Sequence, residues 1–416
     1  MQPLKPWLDI PADSDFSIHN LPFGIFSLPE AGKGKRAGMA IGEYVIDLAD
    51  SADEGLFEEL DFDYKVFHTE YLNDLIALGR SVTNEIRLAV QKALCDECSV
   101  LRNVGGLLAG MEEVTLHLPV KIGDYTDFYS SREHAFNVGK LFRDPDHALL
   151  PNWKHLPVGY NGRASSIVVS GSSIQRPIGQ SLPDGEKSPV FEPTKRLDFE
   201  LEIGFIIGRK TQLGQRVTIQ DAEKYIFGLV LFNDWSARDI QKWEYQPLGP
   251  FLGKSFASTV SPWVIPMEAL EPFRTTGPQQ DPEPLPYLRS KGLNHYDIQL
   301  EAAISGMDGD ETVVCQTNMK HLYWSMMQQL AHHTSNGCNL NIGDLMASGT
   351  ISGPEPGSQG CLLEITENGK NPVRLKDGQM RSWLEDGDTV TLRGYAEGNG
   401  IRVGFGECKG KIKTTN

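Results

Sequence analysis

Cysteine is scarce in this chain: six among 416 residues, at positions 95, 98, 315, 338, 361 and 408. So sparse a set argues against a disulfide framework and for free thiols in a reducing compartment. Cys95 and Cys98 form a C-x-x-C, but no second pair follows at zinc-finger spacing, and two incidental thiols are favoured over a structural zinc or a redox pair. Positive charge is short as well. The formal net charge of −16 argues against nucleic acid or an anionic membrane surface as a partner, since either rewards a basic patch. No apolar run approaches the length that spans a bilayer. The N-terminal stretch carries Asp9, Asp13 and Asp15 where a secretory leader would be basic and then apolar, and Lys411 to Asn416 matches no retention or peroxisomal tag. The expected location is therefore the cytoplasm. What remains is an ordinary globular composition in a chain long enough for one large or two moderate domains.

One stretch organises the rest. Tyr225 to Phe232 is an unbroken apolar run, the pattern of a strand buried on both faces or of a short core segment. Asp234 follows it, then Arg238, Gln241 and Tyr245 at steps of four, three and four, a spacing that predicts one polar face of a helix. Pro247 ends that helix, and Gly249, Pro250 and Gly253 lead by a tight loop to Lys254. A charged stripe is more often a solvated helix face. Here the flanking apolar run and Trp235, Trp243 and Trp263 indicate burial, and buried charges need partners.

Residues 1–118 read as an N-terminal unit. Leu21 to Phe26 and Gly38 to Leu48 have the short apolar runs and glycine punctuation of hairpins in a small barrel. From Phe57 to Leu108 the pattern is helical, with Ile86, Ala89, Val90, Ala93 and Leu94 at helical spacing and Thr83 or Asn84 as the cap. Residues 119–416 read as a second, mostly β unit of strands and proline-bearing loops. Ile298 to Ile304 alternates as a half-buried strand. Asn318 is expected to cap a helix carrying Leu322, Met326 and Leu330 on one stripe and ending at Gly337. Asp388 to Lys413 closes the chain as β structure, and no repeat or coiled coil interrupts it.

Three further segments look like partners for the central stretch. The first, Ile122 to His134, holds Asp127, Tyr129 and His134. In the second, Leu197 to Ile203, Glu200 and Glu202 lie two apart on a core strand and so point to one face. Like charges placed so repel unless a cation sits between them. The third, Gly343 to Glu355, combines glycines and hydroxyls in a turn able to approach a ligand closely. Asp127, Glu200, Glu202 and Asp234 would together form an all-oxygen site suited to Mg²⁺ or Ca²⁺. His332 and His333, adjacent on a helix, face different ways and make a poor chelate.

Several runs are long enough to carry a resemblance: Asp127–Phe–Tyr–Ser–Ser, Asn152–Trp with Leu156 to Tyr160, Asp198–Phe–Glu–Leu–Glu202, Asn233 to Ser255, and Ser348 to Glu355. They resemble the fumarylacetoacetate hydrolase family over nearly the whole chain, including the N-terminal unit that shorter members of the superfamily lack. The resemblance implies a mainly β fold with some α structure: an SH3-like N-terminal barrel, a C-terminal mixed β-sandwich roll, and a homodimer. It implies a divalent cation, Mg²⁺ or Ca²⁺, on Asp127, Glu200, Glu202 and Asp234, with Lys254 and Ser258 beside it. The catalytic histidine falls on His134 with Glu364 orienting it, and oxyanion donors fall on Arg238, Gln241 and Lys254. Contacts to a small β-diketone acid fall on Tyr129, Arg143, Tyr160, Gln241, Tyr245 and Thr350. The implied reaction is hydrolysis of a carbon–carbon bond in 4-fumarylacetoacetate to fumarate and acetoacetate, the last step of tyrosine and phenylalanine degradation. Ala257–Ser258 stands where animal members carry Gly–Thr, and Asn161 where they carry histidine; Ser258 keeps the hydroxyl.

The chemistry suits the residue types. Cleavage beside a β-diketone releases an enolate, which a divalent cation stabilises, while an imidazole, titrating near neutrality, activates water. Two other readings stay open. An acylpyruvate hydrolase or β-keto acid decarboxylase would reuse the same chemistry. A calcium-binding interaction module would explain the carboxylates but leave His134, Glu364 and the Arg–Gln–Lys set without a purpose.

Overall fold

The computed structural model describes residues 4–28, 32–307 and 309–415. Near the N-terminus lie strands β1 (Phe23–Leu28), β2 (Lys33–Ile41), β3 (Tyr44–Asp47) and β4 (Leu108–Gly110), with helix α1 (Arg80–Leu94) between the last two. The next elements are β5 (Thr115–His117), β6 (Tyr125–Phe128), α2 (Arg132–Phe142) and β7 (Gly159–Asn161). The central strands are β8 (Leu201–Ile207) and β9 (Ile226–Asp234), followed by α3 (Arg238–Glu244), β10 (Ser258–Val260) and β11 (Trp263–Pro266). Towards the C-terminus come β12 (Gln299–Ser305), β13 (Thr312–Asn318), α4 (Met326–His333), β14 (Leu345–Ala347), β15 (Thr389–Gly398) and β16 (Ile401–Lys413).

A 13-stranded sheet runs β4-β3-β2-β1-β11-β9-β8-β14-β6-β7, with β5 on β1, β10 on β9 and the short strand Ile167–Val169 on β10 as side pairings. It is mixed: β14 pairs parallel to β6, whereas β8 and β9 are antiparallel. A second sheet, β13-β12-β15-β16 with Ser173–Gln175 on its edge, packs against it. Leu229 and Leu231 of the first sheet share a core with Leu300, Ala302, Leu392 and Phe405 of the second. The architecture is thus mainly β, a mixed sandwich roll with a few helices outside it.

The apolar run forms β9, and every one of its residues is buried. Leu229 and Leu231 face the sandwich core. Phe227, Val230 and Phe232 face a second core that includes Ile86, Val90 and Leu94 of α1. The N-terminal helix therefore seals the far side of the strand that ends in Asp234, and apolar burial on both faces fixes that end in place.

Several expectations are corrected. Among the described residues no sheet closes on itself, so the SH3-like barrel does not form as a closed unit. The edge of β1 is taken by β11, Phe23 opposite Val264 and Gly24 opposite Trp263, which carries β1–β4 into the large sheet. A Cβ on Gly24 would lie 2.5 Å from the Trp263 ring, so glycine is what lets the strands meet here. Helix α1 starts at Arg80 behind Gly79, so Thr83 is interior to it and caps nothing. The segment after Asn318 is two elements: Asn318 caps a short 3₁₀ turn, Met319–His321, and Ser325 caps α4 in a capping box with Gln328.

Candidate active site

Asp234 is the last residue of β9 and not part of a helix. Ser236–Ala237 pairs with Leu197–Asp198 before α3 begins at Arg238, and this pairing interrupts the helical spacing that runs from 234 to 245. Trp235 and Trp263 are buried as expected, but Trp243 is exposed on the outer face of α3.

Four carboxylates converge. Asp127 comes from β6, Glu202 from β8, Glu200 from just before it, and Asp234 from the end of β9. Each offers an oxygen within 4.8 Å of the others, and all four are buried. Lys254 reaches into the cluster, with Nζ donating to Asp234 Oδ2 at 2.7 Å and to Glu200 Oε2. Arg238 Nη1 lies 2.7 Å from Glu200 Oε1, and its Nε donates to Asp198 Oδ2 at 2.9 Å. The Tyr160 hydroxyl donates to Asp234 Oδ2 at 2.7 Å and the Ser258 hydroxyl to Asp234 Oδ1 at 3.0 Å. Glu202 Oε2 accepts the Gly349 N–H at 3.0 Å.

The charges do not balance internally. Burial, and then the neighbouring carboxylates Asp234 and Glu200, push the Asp127 carboxyl far up; burial, then Asp127, Glu200 and Asp234, do the same to Glu202. Burial also opposes ionisation of Glu200, but Lys254 and Arg238 outweigh it and hold that carboxylate well below its ordinary range. Asp127 Oδ1 and Glu202 Oε1 are buried without a hydrogen-bond partner. Two unpartnered oxygens in an all-oxygen cluster with surplus negative charge fit a hard divalent cation and not a thiolate-preferring one.

His134, on the first turn of α2, stands beside this cluster. Its Nδ1 is 2.5 Å from Glu364 Oε2, and its ring packs edge-on against Tyr129 with centroids 5.0 Å apart. Burial pushes the Glu364 carboxyl up, but the His134 ring and hydrogen bonds from His134, Asn137 and Ser352 outweigh it and hold the group below its ordinary range. Burial raises the Tyr129 and Tyr160 phenols far above theirs, with the nearby carboxylates adding to it, so both remain neutral donors. Thr350 Oγ1 and Arg238 Nη2 are buried and unpartnered.

Not every expected residue joins this group. Gln241 lies on α3 at the border, its Oε1 3.4 Å from Arg238 Nη1. Arg143 is exposed and folds back on the Ala148 carbonyl, and Tyr245 is exposed at the end of α3. Three supporting residues carry no local signal that singles them out. Asp198 binds Arg238 and the Leu362 and Leu363 N–H groups, and Ser352 and Asn137 both donate to Glu364. Asp198 and Ser352 lie inside runs that carried the resemblance, which is the signal that could have found them.

Fold and site together define a class: a β-roll whose interior holds a cation-type carboxylate cluster beside a histidine–glutamate pair. The description "Fumarylacetoacetate (FAA) hydrolase C-terminal" matches residues 124–413, and "Fumarylacetoacetase N-terminal" matches residues 19–119. A fumarylacetoacetase from Bos taurus is 50% identical over 413 residues, 98% of each chain. One from Arabidopsis thaliana is 50% identical over 416 residues, again 98% of each. A solved structure, fumarylacetoacetate hydrolase from psychrophilic Exiguobacterium antarcticum, shares the fold at a TM-score of 0.54 and 18% identity, covering 95% of this chain and 99% of its own. The chain belongs to the fumarylacetoacetate hydrolase family. No helix among the described residues is long and apolar enough to cross a membrane.

Proposed function

We propose that this chain hydrolyses the carbon–carbon bond of fumarylacetoacetate, giving fumarate and acetoacetate. The observation that carries the reading is the buried His134–Glu364 pair together with the buried cluster of four carboxylates, in a chain half identical to fumarylacetoacetases along its length.

Asp127, Glu200, Glu202 and Asp234 would hold Mg²⁺ or Ca²⁺, with Lys254 and Ser258 fixing the carboxylates. When bound, such a cation supplies Lewis-acid polarisation of the diketone oxygens and stabilisation of the enolate. Glu364 keeps the proton of His134 on Nδ1, which leaves Nε2 free to take a proton from water. The water oxygen adds to the carbonyl carbon, and Arg238, Gln241 and Lys254 donate to the oxygen that gains the charge. The carbon–carbon bond then breaks, its electron pair passes to the enolate of acetoacetate, and the imidazolium returns its proton to that carbon. Tyr129, Tyr160 and Thr350 line the buried side of the substrate, while Arg143 and Tyr245 meet it from exposed loops.

In the same reading the enzyme serves tyrosine and phenylalanine breakdown in the cytosol, with residues 1–118 as an N-terminal unit and 119–416 as the catalytic one. A homodimer is supported by exposed Trp243, Leu248, Phe251 and Leu252 near the site, Leu248 being 97% exposed.

The test is the loss of diketone absorbance on mixing enzyme and substrate, with and without chelator, together with assay of both products. Stoichiometric fumarate and acetoacetate, abolished by chelator, is the expected result. Binding without bleaching, or release of carbon dioxide, would overturn the reading.

A further inference from the structure

The Glu364 carboxylate is held from one helix face by two side chains a turn apart. His134 and Asn137 occupy positions i and i+3 of α2 and so project together. His134 Nδ1 meets Oε2 at 2.5 Å, and Asn137 Nδ2 donates to Oε1 at 2.9 Å. An ionised carboxylate only accepts, so the Asn137 amide presents its NH₂ to it. Oε2 has other donors, the Ser352 hydroxyl at 2.8 Å and the Cys361 thiol at 3.3 Å, whereas the hydrogen bond to Oε1 comes from Asn137.

A carboxylate's terminal torsion is soft, and a donor on each oxygen fixes its plane. Asn137 and Glu364 also border a cleft of about 900 Å³ on the side of α2, along with Arg132, Lys140 and Lys154. The Glu364 side chain nevertheless exposes none of its surface. The Asn137 amide fills the place that water from this cleft would take at Oε1.

We propose that Asn137 is a positioning residue for the histidine–glutamate pair, locking the plane of the Glu364 carboxylate and keeping cleft water off it so that His134 stays oriented for proton transfer. This rests on the reading of His134 as the base. A dry carboxylate pairs more strongly with the imidazolium that forms during the reaction than a hydrated one does, so the contribution falls on turnover and not on substrate binding.

The experiment compares Asn137→Ala, Asn137→Asp and His134→Ala in the full-length, cation-loaded enzyme. Asn137→Ala should lower kcat by roughly tenfold or more, the scale of one hydrogen bond to a charged group, with KM within about twofold. Asn137→Asp keeps size and shape but sets a second carboxylate against Glu364, where two such groups cannot both stay ionised; its kcat should fall further than that of the alanine variant. The Nδ1–H proton resonance of His134 should move upfield and exchange faster with solvent in both. A role in packing alone would lower the melting temperature and leave that resonance and kcat in place. Wild-type kcat in both Asn137 variants beside an inactive His134→Ala would overturn the proposal while sparing the base assignment. An active His134→Ala would remove the assignment itself. If Asn137→Asp does not fold, the kcat and proton resonance of Asn137→Ala decide.

Discussion

The Lys254 ammonium lies 2.7 Å from Asp234 Oδ2 with only 5% of its side chain exposed. It also donates to Glu200, so one buried cation serves two of the four carboxylates. Burial disfavours the charged ammonium, yet Asp234 and Glu200 outweigh this and hold its pKa above the ordinary lysine range. Removing the charge at nearly constant volume leaves the carboxylates mutually repelling. Lys254→Met should cost about 3–5 kcal/mol of stability in chelator, as expected when one member of a buried ion pair is removed. Added Mg²⁺ or Ca²⁺ should restore part of that by binding the folded state alone. Thermal unfolding in chelator and in excess cation measures both, and an unchanged cation-free midpoint would contradict the assigned role.

Asp234 collects Lys254, Tyr160 and Ser258 on its two oxygens, so Asp234→Asn changes charge and hydrogen-bond direction without changing shape. An amide NH₂ would face at least one of these donors. Divalent affinity should fall by at least about tenfold, and diketone hydrolysis should fall with it. Calorimetric titration of Ca²⁺ into the variant settles this; wild-type affinity would mean the ligand set is misassigned.

Gly349 has φ +77°, and a Cβ there would lie 2.2 Å from the Phe128 carbonyl oxygen. Phe128 follows Asp127 on β6, and the Gly349 N–H itself binds Glu202. Alanine would strain the backbone by about 1–2 kcal/mol from its left-handed conformation alone, and relieving the clash must move β6 or the turn. Gly349→Ala should therefore lower both the melting temperature and cation affinity. A variant that loses stability but binds cation normally would show that the turn does not set the position of Asp127 and Glu202.

Much of this site was legible before any fold was known, and the reasons are physical. Tyr225–Phe232 had to be a core segment, with a strand covered on both sides as one of two readings, and four acids embedded in apolar runs had to be neutralised by something. The alternation from Ile298 to Ile304 likewise announced β12. What failed were inferences that treated local spacing as sufficient. The steps from Asp234 to Tyr245 fit a helix, but Ser236–Ala237 finds strand partners at Leu197–Asp198, and this non-local pairing delays the helix to Arg238. The N-terminal hairpins read locally as a small barrel, but β1 pairs with β11, a strand from far along the chain. Asn137 had no visible role because its partner, Glu364, is 227 residues away.

His295 supplies the clearest dependence on pH away from the site. It is buried, its Nε2–H donates to the Leu322 carbonyl at 2.9 Å, and burial pushes its pKa down from 6.5 to about 4. The unfolded chain takes up this proton as pH falls through about 6.5, while the folded protein refuses it until about 4. Stability is therefore lost with falling pH across that window, by about 3 kcal/mol in all, and no further below it from this group. Replacing the ring with an amide, His295→Gln, removes the titration while keeping a donor for Leu322. Urea unfolding between pH 7 and 4 should show a smaller acid loss in the variant than in the parent chain, although the variant starts less stable at pH 7 from imperfect packing. Parallel curves for the two proteins would show that His295 is not the group responsible.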